Sequence, residues 1–175
     1  MDGNTENGNP PARRLIRPLA LLLGAALGLT VVVMLWRAFG SGLPQIHEAD
    51  LHAARERWQT HSVPSYDMTI VLAGRQTGTL HIEVRDGKPQ SLTRNGAALK
   101  QPRTWEPWTV PGMFETLETD FDNARHPAAQ FGSNEVKVVL RAKFDETYGF
   151  PRRYLHQVFG RSMDLTWEVT EFEPR

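Results

Sequence analysis

Residues 66–73, YDMTIVLA, place Tyr66, Met68, Ile70 and Leu72 on one side of an extended chain and Asp67, Thr69, Val71 and Ala73 on the other. A period of two that turns apolar groups to one face is what a half-buried strand requires, and it excludes a chain that is helical throughout. The pattern returns in TLHIEVR, with Leu80, Ile82 and Val84 inward and His81, Glu83 and Arg85 outward. Asp86-Gly87 then offers the positive φ of a tight hairpin, and a third strand runs through Leu92 to Asn95-Gly96. Alternating strands joined by hairpin signals predict an antiparallel meander, since buried parallel strands read as continuous apolar runs.

Further along, VKVVLRAKF sets Val136, Val138, Leu140, Ala142 and Phe144 against Lys137, Val139, Arg141 and Lys143. Two more strands are expected over roughly 153–159 and 165–172. Two segments have helical spacing instead. Pro44 suits a first helical turn, and QIHEADLHAARERWQTH carries Ile46, Leu51, Ala54 and Trp58 to about Thr60, where SVPS breaks it. Thr109 can cap MFETLETDFDNA, whose Phe114, Leu117, Phe121 and Ala124 form one stripe. The residues RHPAAQFGSNE read as a mobile loop. The expected fold is therefore α+β, an antiparallel sheet of about six strands packed against two helices.

The 175 residues suffice for one domain with a core. Twenty Lys and Arg balance twenty Asp and Glu, which removes the positive field of a nucleic-acid binder. Absence of cysteine excludes disulfides, thiolate metal sites, a cysteine nucleophile and a lipid-attachment cysteine.

The first forty residues read as an address. Residues 1–18 are expected to form a disordered cytoplasmic tail, rich in Asn, Gly and Pro and ending in Arg13, Arg14 and Arg17. Residues 19–36, LALLLGAALGLTVVVMLW, carry no charge and as a helix span roughly 27 Å, about the thickness of the hydrocarbon core. Three arginines precede the run and Arg37 follows, so the N-terminus is placed in the cytoplasm of a bacterial cell and the remainder outside its inner membrane. A retained single-pass signal anchor is the reading; a cleaved signal peptide, with Ala38-Phe39-Gly40 as its cleavage site, is the alternative. Residues 37–47 form a short linker, whose GSGLP hinge keeps the 48–175 extracytoplasmic domain within roughly 20 Å of the headgroups.

The succession RERWQTHSVPSYDMTI, IEVRDGKPQSLTRNG, WTVPGMFETLE, FDETYGFPRRY and WEVTEF resembles a family of bacterial envelope proteins known only as a domain of unknown function. The resemblance covers about residues 48–173, and its most specific piece is the Tyr148-Gly149-Phe150-Pro151 corner. It implies a small secreted, lipidated or membrane-anchored α+β domain and attaches no activity. This chain departs from many members in lacking a cysteine pair in its first hairpin and in having Gly112 where an acidic helix-start residue is common.

Candidate binding residues fall in two places. KQPRTWEPWTVPG, a structured loop, carries Trp105 and Trp108, which either plug an open end of the sheet or offer a binding surface. The corner carries Tyr148 beside Arg152 and Arg153, where an aromatic next to guanidinium groups can grip acids or sugars; the plainer reading is a hydrophobic closure. Lys137, Arg141 and Lys143 share an outward face, with cross-strand acids such as Glu168 to neutralise it.

No catalytic set is found. The serines lack a nucleophile-elbow context, His47 and His52 are five apart, and the remaining histidines read as scattered surface groups. Asp120 and Asp122 point about 200° apart on a helix. No cofactor or metal site is indicated. The sequence thus points to a noncatalytic binding or assembly module of the envelope, whose partners are the membrane and an envelope protein or anionic polymer. A cell-envelope enzyme with its site near the tryptophan loop and a structural membrane spacer are the alternatives; converging acids or histidines in a pocket would favour the first, and buried tryptophans with no pocket the second.

Overall fold

The computed structural model describes residues 42–161 and 164–175. The expected tail, the expected membrane span and the first residues of the linker lie outside these. Among the described residues no helix is long and apolar enough to cross a membrane. The chain divides into Met1–Ser41 and a compact unit, Gly42–Arg175, which carries the architecture below.

Its elements run α1 (Glu48–His61), β1 (Tyr66–Gly74), β2 (Gly78–Arg85), β3 (Lys88–Arg94), β4 (Ala97–Ala98), two 3-10 turns (Pro102–Thr104 and Glu106–Trp108), α2 (Val110–Arg125), α3 (Pro127–Phe131), β5 (Val138–Phe144), β6 (Pro151–Val158) and β7 (Leu165–Pro174). The seven strands form one sheet in the order β4-β3-β2-β1-β7-β6-β5, and every pair is antiparallel. The α+β class and the antiparallel sheet agree with the alternation of the sequence. The added strand is β4, two residues that pair with Thr93 and Arg94. Asn95 and Gly96, at φ 51° and 80°, form a positive-φ turn like that of Asp86 and Gly87, at 51° and 75°.

α1 begins later than Pro44 suggests. Residues 44–46 are extended and lie along the outer edge of β5, where Gln45 bridges Arg141 and Ala142 donates its N–H to the Pro44 carbonyl at 3.3 Å. Edge amides of a strand need partners, and this segment supplies some of them. The helix then opens at Glu48, with the His47 N–H donating to the Asp50 carboxylate at 3.1 Å, and ends at Ser62 in the left-handed region. α2 begins at Val110, its N-cap Thr109 accepting the Gly112 N–H at 3.2 Å. Where a loop is expected after it, Pro127–Phe131 makes a short helix because Pro127 fits the first turn and Gly132, at φ 74°, ends it.

Both longer helices cover one face of the sheet. Leu51, Ala54 and Trp58 of α1 and Val110, Met113, Phe114 and Leu117 of α2 are buried against Met68, Ile70, Ile82, Leu92, Tyr154, Trp167 and their neighbours. The opposite face is polar: Thr69 donates to Glu171 at 3.0 Å, and Arg153 stands 3.5 Å from Glu168. One covered and one solvated face is what the period of two demanded.

Candidate functional site

The tryptophan loop is built on the start of α2. The Glu106–Trp108 turn packs so closely over Gly112 that a Cβ there would lie 2.0 Å from the Glu106 carbonyl oxygen. Gly112 therefore lets the loop descend onto the helix. Tyr66, reaching from β1, accepts the Val110 N–H on its hydroxyl at 2.9 Å and so satisfies a buried amide at the helix start. Burial pushes the Tyr66 phenol up to about 12 despite that donor. Trp105 Nε1 donates to the Leu99 carbonyl at 3.0 Å, and Trp108 meets Trp167 edge-on at 6.2 Å between centroids. Both tryptophans are half-buried. The loop is thus held at four points.

Between this loop and the end of the β2–β3 hairpin lies a cleft of about 670 Å³. Leu80, Leu99, Pro107 and Trp108 form its apolar wall; Gln76, Gln101 and Thr104 offer neutral hydrogen-bonding groups; Arg94, Lys100 and Arg103 supply positive charge. The lining contains no acid and no histidine. Among the described residues, no carboxylate forms an ion pair with any of the three cations. Arg94 is nonetheless steered, donating to the Thr77 carbonyl at 2.6 Å. Trp108 was legible as a candidate from the sequence. The cations and glutamines were not, because they come from three separated segments that only the turn at Asn95-Gly96 and the hairpin register bring together.

Trp105 is outside the residues that line the cleft and packs, half-buried, against the core. The other candidates are elsewhere. Asp145 organises the corner by accepting the N–H groups of Thr147 and Tyr148 at 3.0 and 2.8 Å. Tyr148 packs against His61 and Phe172, and Phe150 stacks on Phe172 at 4.5 Å. Gly149, at φ 86°, would place a Cβ 2.3 Å from the Ala54 carbonyl of α1. The glycine therefore serves both the turn and the close seating of the helix. Arg152 pairs with Asp145 at 3.6 Å, and Arg153 with Glu168 as the cross-strand register places it. A smaller groove of about 290 Å³ runs past Tyr148 and Arg152, bordered by Asp145 and Glu171.

One histidine departs from the surface reading. His156 is 8% exposed, its Nδ1 lies 3.9 Å from Asp120 Oδ2, and the same oxygen accepts the Tyr154 hydroxyl at 2.7 Å. The alternation of β6 could have exposed this, since Tyr154, His156 and Val158 share the inward face. Burial, and then the Asp120 charge beside it, hold the Tyr154 phenol well above its ordinary range. His156 Nε2 is buried without a hydrogen-bond partner. At 3.9 Å the His156–Asp120 approach is too long for a hydrogen bond, and the Tyr154–Asp120 bond beside it ties α2 to β6.

No curated protein and no solved structure matches this chain. Residues 50–155 match a family profile described as "Family of unknown function (DUF6174)". That match runs from α1 through β6 and includes the tryptophan loop, the cleft and the glycine corner, so the chain belongs to this family of unknown function.

Proposed function

We propose that this chain is a noncatalytic binding module of the bacterial envelope. In this reading residues 19–36 anchor it in the cytoplasmic membrane and residues 48–175 work on the outer side. The observation that carries the binding role is the cleft beside Trp108, which lies between a braced loop and a sheet end and has a size that suits an organic ligand. Its lining has no acid or histidine to move a proton, which supports binding over catalysis. A spacer would have no use for such a concavity. The membrane placement rests on the uncharged run and the flanking arginines of the sequence.

Photocrosslinking in cells, with a photoreactive residue at Gln101 and a control at Arg152, tests the binding role. A discrete adduct at Gln101 and none at Arg152 is the expected result. No adduct at Gln101 would overturn it.

A further inference from the structure

We infer that the ligand of the tryptophan cleft is a small organic anion, a phosphate or carboxylate carried on an apolar body; this rests on the binding role proposed above. Charge and surface type divide within one concavity. Leu80, Leu99, Pro107 and Trp108 offer apolar wall, while Arg94, Lys100 and Arg103 bring three positive charges with no acid among the lining residues. A cation entering would find no counter-charge there, and a neutral apolar molecule would leave the cations unanswered. An anion with an apolar body matches both halves.

Like charges brought together repel unless a partner or solvent screens them, and no carboxylate of the described residues forms an ion pair with these three, although Arg103 also borders a second groove that Glu106, Glu115 and Asp120 line. Arg94 is held by the Thr77 carbonyl rather than by an acid, so its direction is set while its charge stays available. Guanidinium groups grip phosphate and carboxylate through paired N–H donors, and the indole face adds apolar and stacking contact to a ring or chain beside them. Gln76, Gln101 and Thr104 can bond neutral oxygens of the same molecule.

The test uses the full chain in phosphatidylcholine nanodiscs, with empty discs as blank, titrated calorimetrically with 1-naphthyl phosphate, 1-naphthol, 1-naphthylmethylammonium and inorganic phosphate. The expected result is saturable one-to-one binding of 1-naphthyl phosphate, at least tenfold tighter than any of the other three. Lys100→Gln/Arg103→Gln and Trp108→Ala should each weaken it tenfold or more. Gln101→Glu, an exposed position whose change adds an acid to the lining, should weaken it too while leaving the circular dichroism spectrum unaltered. Binding of the ammonium compound as tightly as the phosphate, or no binding of the phosphate, would overturn the assignment. If the phosphate fails while Gln101 still captures a discrete protein in cells, the ligand class falls and the binding role stands; if Gln101 also captures nothing, both fall. Soluble dihexanoyl phosphatidic acid serves as a second anionic probe: tighter binding than naphthyl phosphate would point to a lipid source, weaker binding to a planar solute.

Discussion

The Tyr66 hydroxyl lies 2.9 Å from the backbone nitrogen of Val110, joining the central strand to the first residue of α2. That bond crosses 44 residues of chain and satisfies an amide the helix itself cannot. Tyr66→Phe keeps the ring and removes the acceptor, leaving a buried N–H without a partner. The expected cost is about 1–3 kcal/mol in chemical denaturation. Hydrogen exchange at residues 105–113 should quicken more than exchange in β5 and β6.

The same burial governs the alkaline limb. Tyr66 and Tyr154 both have folded-state phenols raised above the ordinary value near 10. The folded state therefore holds protons that the unfolded state has released, and stability falls as pH rises from ~10 towards the folded pKa. Below ~10 their contribution is fully present. Phenolate absorbance during an alkaline titration should show that these two tyrosines ionise together with unfolding, while Tyr66→Phe/Tyr154→Phe should lose the steep part of that transition.

Asp67 behaves in the opposite sense. The Arg85 guanidinium first, with Nη1 2.6 Å from Oδ1 as an ion pair, and then Arg175, which donates Nε to Oδ2 at 2.8 Å, hold its carboxyl below the ordinary range. Its contribution is complete above the unfolded carboxylate value of ~3.9 and is lost as pH falls through the depressed folded value. Asp67→Asn should cost about 1–3 kcal/mol near neutrality and should flatten the acid limb of the stability curve.

Two glycines with similar backbone angles should respond differently to alanine. Gly87 has φ 75° and nothing within 4 Å of a new Cβ, so Gly87→Ala should cost only the left-handed penalty of about 1–2 kcal/mol. Gly149 has φ 86° and the Ala54 carbonyl at 2.3 Å from that Cβ. Gly149→Ala must also push α1 off the corner, and its loss in denaturant midpoint should be at least double that of Gly87→Ala.

Gly112→Ala separates the cleft from the fold. Its φ is ordinary, but the methyl would meet the Glu106 carbonyl at 2.0 Å, so the turn carrying Trp108 must rise. Crosslinking at Gln101 should fall several-fold. A variant that still crosslinks like the parent would show that the height of the loop does not matter to binding.

Much of the sheet was legible because its signals are local. Alternation in β1 and β2 and the Asp86-Gly87 turn name the central meander from neighbouring residues alone. β4 was missed because only two of its residues pair, too few to show a period. The Pro44 segment looked like a helix start because proline fits there as well as it fits an edge, and what decides between them is β5, nearly a hundred residues away. The site was half legible for the same reason. Trp108 advertises itself by size, and Arg153 found its Glu168 through strand register. The cationic lining depends on which loops meet and is not written in a short stretch of sequence, whereas the burial of His156 follows from the alternation of β6 once its inward face is known.

The place of β7 sets an order of assembly. It is the last of the seven strands along the sequence, yet it lies inside the sheet, between β1 and β6. A nascent chain can close the β1–β4 and β5–β6 hairpins early, since their partners are near in sequence, but Thr69 must wait for Glu171, 102 residues later. Until β7 is inserted the inner edges of β1 and β6 are both bare, and such edges invite pairing with other chains. The period of greatest aggregation risk for this protein therefore ends when its final strand joins the two halves.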